Sequence, residues 1–139
     1  LIVGFPSERD EEFQELLKFI KEVKFERLGA FIYSREEGTS AYNLKKQIPQ
    51  KIKIERFNAL MSCQQEISRK VNKKCLNQTL DVLIDEEDKG GYLGRSQYDA
   101  PEVDGQVYVR AKNKLKAGDF VKVKITDTLE YDLVGEVTG

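Results

Sequence analysis

The sequence contains no histidine, and that absence removes more chemistry than any other feature of its composition. Without imidazole there is no Ser–His–Asp or Cys–His nucleophile, no HExxH zinc site, and no acid–base group whose ordinary pKa lies close to neutrality. Only two cysteines occur, Cys63 and Cys75. Their spacing fits neither a CxxC metal pair nor a disulfide framework, so both are expected to be reduced packing thiols of a cytoplasmic protein. No apolar run approaches the roughly 18 residues that a membrane-spanning helix needs, and neither internal repeats nor low-complexity tracts break the chain.

What remains is a globular composition. The 139 residues are 40% hydrophobic and 34% charged, enough for one ordinary domain or two small ones. A net charge of −1 conceals an asymmetry: residues 1–75 hold 15 Lys+Arg against 11 Asp+Glu, whereas residues 76–139 hold 8 against 13. That break places a domain boundary near Leu76, with residues 1–75 and 76–139 as the two domains. The opening Leu1-Ile2-Val3-Gly4 reads as the middle of a strand, so the chain is expected to be part of a longer protein.

Along residues 1–75 the pattern is α/β. Leu1–Phe5 is a short apolar run, and "SERDEEFQELLKFIKEV" follows with Phe13, Leu16, Leu17, Ile20 and Val23 at helical spacing. Ser7 with Asp10 three residues later resembles a capping box, and Glu8, Asp10, Glu11 and Glu12 favour the positive end of a helix dipole. A second apolar run, "RLGAFIYS", completes a βαβ unit with parallel strands. After a loop containing Gly38, Pro49 suits the first turn of a helix running to about Lys74, its apolar positions Phe57, Leu60, Ile67 and Val71.

From Thr79 onward the period changes to two. Leu80, Val82 and Ile84, and later Val121, Val123 and Ile125, alternate with polar residues. Tyr92-Leu93, Val107 to Val109 and Tyr131 to Val137 add shorter runs, punctuated by Gly90-Gly91, Asp104-Gly105 and Gly118-Asp119. About five short strands in this segment predict a small all-β barrel of the OB kind.

Three stretches can carry chemistry. Gly4 sits at the carboxyl end of a parallel strand, where α/β folds bind ligands and where glycine permits close approach. "YSREEGTSA" occupies the same rim, with Arg35 able to donate paired bonds to a carboxylate and Thr39 able to bind through its hydroxyl. Either loop alone is also compatible with an ordinary surface turn. "GRSQYDAPEVDG", residues 94–105, is a polar excursion between strands. Small barrels often bind RNA, and Tyr92, Tyr98 and Tyr108 can stack on bases, but phosphate binding needs surplus lysine and arginine. An acidic segment favours a basic protein partner instead.

In order, "IVGFP…E…F", "YS…EGT.A" and "ER…LM..QQEIS…N", followed by a small barrel with "GRS..DAPE.DG.VYV" and "GDFVKVKITD..EYDL.GEV", resemble the radical-SAM methylthiotransferases with a terminal TRAM domain. The barrel motifs are most similar to the branch that methylthiolates an aspartate of a small-subunit ribosomal protein; the tRNA-modifying branch usually carries a more basic barrel. The resemblance covers essentially the whole chain. It implies a full-length enzyme with S-adenosylmethionine and two 4Fe-4S clusters, one of them bound through a CxxxCxxC motif, in which a deoxyadenosyl radical abstracts hydrogen from the aspartate β-carbon. This chain contains no CxxxCxxC, so the expectation is the end of a radical-SAM TIM-type barrel plus the TRAM domain, inactive alone, without catalytic or metal-binding residues.

Carried onto matching positions, the resemblance implies cofactor contacts at Ile2, Gly4, Phe5, Phe31 and Thr39, with Pro6 shaping the turn. Partner contacts are expected at Arg35, Arg95, Tyr98, Asp99, Glu102 and Asp104. Two positions depart from the family pattern: Ser7 stands where glycine is usual, and Ser40 where proline is usual. The partner expected is a basic ribosomal protein met by a monomer, with RNA binding disfavoured and no membrane. A tRNA-modifying enzyme and a non-catalytic adaptor are the alternatives. Arg95 either reaches the substrate or pairs with Asp99 inside its own loop.

Overall fold

The computed structural model describes residues 1–99 and 105–139. Glu102 and Asp104, two of the expected partner-binding residues, lie outside the described residues. The chain forms two compact units, Leu1–Gln64 and Gln65–Gly139.

In the first unit, strand β1 (Ile2–Val3) runs parallel to β2 (Phe31–Ile32), in register Ile2↔Phe31 and Val3↔Ile32. Helix α1 (Asp10–Val23) is the crossover between them, and its apolar stripe buries Phe13 and Ile20. The expected βαβ unit is therefore present, but its strands are shorter than the apolar runs that announced them. Gly4 adopts φ 76°, a left-handed conformation that ends β1. Lys24, at φ 55°, ends α1 in the same way, its N–H donating to the Ile20 carbonyl at 3.0 Å.

The start of α1 differs from the Ser7–Asp10 capping box. Arg9 is the N-cap, and its backbone N–H donates to Glu12 Oε2 at 2.7 Å while its guanidinium donates to Glu12 Oε1. Ser7 instead turns the chain at φ 72°, its N–H donating to the Lys46 carbonyl at 3.0 Å. A residue in that conformation precedes the helix and cannot be its cap.

Helix α2 (Gln50–Lys74) begins directly after Pro49, as the sequence predicts. Its buried face is not the expected apolar stripe. Leu60 and Ile67 are buried, but Phe57 and Val71 are only half-buried, and Lys53, Arg56, Gln64, Ser68 and Asn72 are buried beside them. Within the first unit this face supplies hydrogen bonds to backbone carbonyls, including Gln64 Nε2 to the Phe25 carbonyl at 2.9 Å. Polar groups can be buried in this way because each carbonyl they meet would otherwise lose its water partner unreplaced. Cys63 and Cys75 are half-buried and form no disulfide among the described residues.

In the second unit, β3 (Thr79–Asp88), β4 (Gly91–Ser96), β5 (Val107–Arg110), β6 (Phe120–Thr128) and β7 (Leu133–Val137) close into a barrel in the order β3-β4-β5-β7-β6. All neighbours are antiparallel except β5 and β7. This is the OB-like barrel read from the period-two segments. Leu80, Val82, Ile84, Tyr92, Val107, Val109, Val123, Ile125 and Leu133 fill its interior, each aliphatic side chain contributing roughly 1.5–3 kcal/mol by its burial. Tyr92 keeps its hydroxyl satisfied by accepting the Leu115 N–H at 3.1 Å. Register shifts at Asp85 in β3 and Thr126 in β6 mark bulges that bend these long strands round the barrel.

Two buried glycines permit the closure. A Cβ on Gly94 would stand 2.6 Å from the Leu83 carbonyl oxygen, and one on Gly135 would stand 2.5 Å from Val123 Cγ1. Both contacts are shorter than real side chains tolerate. The turn between β6 and β7 is held by α2: Gln65 and Arg69 both donate to the Glu130 carboxylate, and Asn72 Nδ2 donates to the Leu129 and Glu130 carbonyls at 3.2 Å each.

The hydrogen bond from Gln65, followed by that from Arg69, holds the Glu130 carboxyl below the usual glutamate range. A carboxyl lowered in the folded state stabilises the fold above its unfolded pKa, and that contribution is lost as pH falls through the folded value. Glu130→Gln should therefore flatten the acid limb of the barrel's stability profile while leaving its shape near neutrality. Urea midpoints measured from neutrality down to about pH 3, below the ordinary glutamate pKa, check this; an unchanged acid limb would mean that Glu130 does not carry the coupling.

Candidate functional site

Because β1 and β2 are parallel, the loops that follow them leave from one end of the sheet. The first runs through Phe5, Pro6 and Ser7 to Glu8; the second begins at Tyr33. Their backbones are tied by the Tyr33 N–H donating to the Val3 carbonyl at 2.8 Å. Phe5 meets Tyr33 edge-on with ring centroids 5.3 Å apart. Two cations from the first turns of α2 complete this rim. Lys53 Nζ donates to the Tyr33 carbonyl at 3.2 Å and lies 5.0 Å from the Tyr33 ring centroid. Arg56 donates to Glu8 Oε1 at 2.7 Å and to the Glu8 carbonyl at 3.0 Å, and Glu8 Oε1 also accepts the Gly4 N–H at 3.1 Å.

The Arg56–Glu8 pair is shielded, with side chains 9% and 14% exposed. Burial strengthens such a pair only while every lone pair is used, and here Glu8 serves both the guanidinium and the strand end. The Arg56 guanidinium also lies 5.6 Å from the Phe13 ring centroid. Tyr33 Oη and Arg56 Nε are buried without a hydrogen-bond partner among the described residues.

Of the residues expected to touch a cofactor, Ile2 and Phe31 project from one face of the sheet, 60% and 73% exposed, and Phe5 is also exposed at the rim. Gly4 is different. Its missing Cβ position is filled by the Lys53 stem, with Cγ 2.5 Å away, so the close approach permitted there is that of the protein's own lysine. Thr39 is exposed and its hydroxyl donates to the Glu36 carbonyl at 2.7 Å. Arg35 is exposed; its Nε donates to the Tyr42 carbonyl at 2.9 Å and its guanidinium stacks 4.4 Å from that ring.

On the barrel, Arg95 Nε lies 3.2 Å from Asp85 Oδ1; Asp85 stands two residues beyond Leu83, the β3 partner of Arg95, on the same outward face. Asp99 accepts from Ser96, from Oγ at 2.7 Å and from the backbone N–H at 3.3 Å, which shapes the start of the polar excursion. Tyr98 is exposed. Arg95, Ser96, Gln97 and Asp99 share a shallow depression of about 410 Å³ with Asp81, Leu83 and Phe120. A second depression of about 370 Å³ includes Lys89, Gly91, Leu93, Tyr108, Arg110 and Val134. Among the described residues, no group of three or more His, Cys, Asp or Glu side chains is placed to hold a metal ion, and no helix is long and apolar enough to cross a membrane.

Sequence reasoning missed Glu8, Lys53, Arg56 and Phe120. The α2 residues had a signal: Lys53, Arg56, Leu60 and Gln64 recur at helical spacing, a stripe overlooked because it is polar. Phe120 had none, since one apolar residue at a strand start is unremarkable in sequence.

Residues 78–138 match the TRAM domain family, so the closed barrel is a TRAM domain. Over nearly its whole length the chain is also a homologue of proteins named ribosomal protein uS12 methylthiotransferase RimO. It is 55% identical over 135 residues to the one from Thermoanaerobacter sp. (strain X514), covering 97% of this chain and 31% of that protein. Those from Petrotoga mobilis (strain DSM 10674 / SJ95) and Clostridioides difficile (strain 630) are 50% and 49% identical, each covering 99% of this chain and 32% and 31% of those proteins. The chain thus spans about a third of the length of the curated relatives it matches. The resemblance read from its motifs is to the same proteins.

Two stability measurements test the rim. Replacing Ser7 by glycine removes a Cβ from a left-handed position and should stabilise the protein by about 1 kcal/mol; no gain in thermal or urea stability would mean that the turn relaxes. Arg56→Met strands a shielded carboxylate and should destabilise the first unit by roughly 3 kcal/mol, while Glu8→Gln combined with Arg56→Met should recover part of the loss. Additive losses in the double variant would show that the two side chains do not act as a pair.

Proposed function

We propose that this chain is the part of a radical-SAM methylthiotransferase that contains the end of the catalytic α/β barrel and the TRAM domain, and that the whole enzyme modifies an aspartate of ribosomal protein uS12. The observation that carries this reading is identity of 45–55% to uS12 methylthiotransferases along nearly the entire chain, barrel included. The division at residues 75/76 belongs to the same proposal: the acidic residues 76–139 form the substrate-docking domain and residues 1–75 belong to the catalytic one.

When bound, S-adenosylmethionine and the iron–sulfur clusters supply the radical and sulfur chemistry. This chain's contribution is positional. Ile2, Phe5 and Phe31 form the apolar wall on which the adenosyl moiety would rest, which fits their exposure on one face and at one rim. Lys53, Arg56 and Glu8 hold the two strand ends together beneath it. Thr39 and Arg35 stand on the second loop of the rim, where their present bonds to backbone carbonyls are replaceable by a ligand. The excess of acids in residues 76–139 favours a lysine- and arginine-rich substrate over a phosphate backbone. That balance supports uS12 over tRNA.

The full-length protein, reconstituted with its clusters and given S-adenosylmethionine, reductant and uS12, should place a methylthio group on one uS12 aspartate, read by peptide mass spectrometry. Lysines at Asp99, Glu102 and Asp104 together should weaken uS12 binding about tenfold, an effect that fades as salt rises. Methylthiolation of tRNA with uS12 untouched would overturn the reading.

A further inference from the structure

The most exposed large apolar side chain among the described residues is Phe120, at 77%. It is not a loop residue free to fold away. Phe120 opens β6, paired in register with Leu83, and the backbone beside it is fixed by the Ile84 N–H donating to the Asp119 carbonyl at 2.9 Å. Across the sheet Leu83 is flanked on its other side by Arg95. A rigid frame therefore holds an aromatic ring in water, over the floor of the 410 Å³ depression.

Asp81 and Asp99 line that depression together with Arg95, and Asp85 lies beside it through its contact with Arg95, so acids outnumber the lining cation. Arg95 is held by Asp85 at 3.2 Å, but Lys122 is lightly held: its Nζ reaches Asp81 Oδ1 at 2.9 Å with both side chains more than 60% exposed. Exposed pairs of this kind contribute little to stability and exchange readily for another cation. Every barrel strand already has two neighbours, so a partner cannot dock by adding a strand and must be recognised through side chains.

We propose that Phe120, Leu83, Asp81 and Asp99 form the docking point for a lysine- or arginine-rich protein segment. One basic side chain lays its aliphatic stem across Phe120 and Leu83, with its cationic head over the ring face or against the carboxylates at the rim. This deepens the proposed function, on which it rests, by assigning the basic substrate to one face of the barrel. The other depression is the internal control. It also offers an exposed aromatic, Tyr108, but its lining carries Lys89 and Arg110 against the single acid Asp88, a cationic balance that disfavours a basic partner.

The test measures binding of recombinant uS12 to the full-length protein by calorimetry, at low and physiological salt, for the parent, Phe120→Ser and Tyr108→Ser. Phe120→Ser should weaken binding about tenfold with an unchanged melting temperature, while Tyr108→Ser binds as the parent does. Parent affinity in Phe120→Ser overturns the docking point but leaves the acidic barrel as substrate domain. A lowered melting temperature with affinity retained places Phe120 in an internal contact and also overturns it. No uS12 binding by the parent overturns the proposed function itself. An RNA oligonucleotide bound by the parent and lost in Phe120→Ser assigns the depression to nucleic acid and overturns the proposal.

Discussion

A buried lysine, arginine or amide must find its hydrogen-bond partners inside the protein, and the inward face of α2 is built from such residues. In the first unit Lys53 Nζ and Arg56 Nη1 meet that demand at the carbonyls of Tyr33 and Glu8 and at the Glu8 carboxylate, while Arg56 Nε is left without a partner among the described residues. In the second, Asn72 meets it at the carbonyls of the β6–β7 turn. An apolar face would have tolerated sliding and rotation. A polar one is satisfied only where particular carbonyls lie, so the helix specifies where each neighbouring loop runs. The rim geometry depends on this, because β1 and β2 contribute only two residues each and cannot hold their own ends in place.

The rim and the barrel solve opposite problems. At the rim, exposed apolar residues and shielded charges stand together. In the barrel, aliphatic side chains face inward and acids face out, and burial is joined by the hydrogen bonds from α2 to the β6–β7 turn. The barrel surface departs from that pattern in three places: Asp85 pairs with Arg95 beside a bulge, Asp99 accepts from Ser96 at the start of the polar excursion, and Phe120 faces water. Each leaves the core undisturbed, which is how a small barrel can vary its outer surface.

Much of this was legible in advance. The βαβ unit, the long helix after Pro49 and a five-stranded barrel all followed from hydrophobic period and turn residues, because one buried face per element imposes those periods on any sequence. The α1 cap was misread because Ser7 and Asp10 have the right spacing, whereas the backbone at Ser7 is left-handed, and φ is not written in residue type. That Ser7 replaces a glycine usual in similar proteins was the available hint. The Arg95 partner was left open for a related reason: Asp85 is distant in sequence, and only the β3–β4 pairing brings the two side chains together. The stripe on α2 was missed because polar residues at helical spacing ordinarily mark the solvent side.

By itself, the sequence determined the periods, the charge asymmetry between its two parts, the elimination of imidazole chemistry, and a set of motifs long enough to point to one family. These are local or additive properties, readable without knowing which residues meet. Only the tertiary structure decided that Lys53 fills the space beside Gly4, that Arg56 clamps Glu8 to the strand end, that Asp85 takes Arg95, and that Phe120 stands over an acidic depression. Each depends on strand register, a bulge or helix rotation, where a shift of one residue changes every contact, and register is set by how whole elements pack against one another.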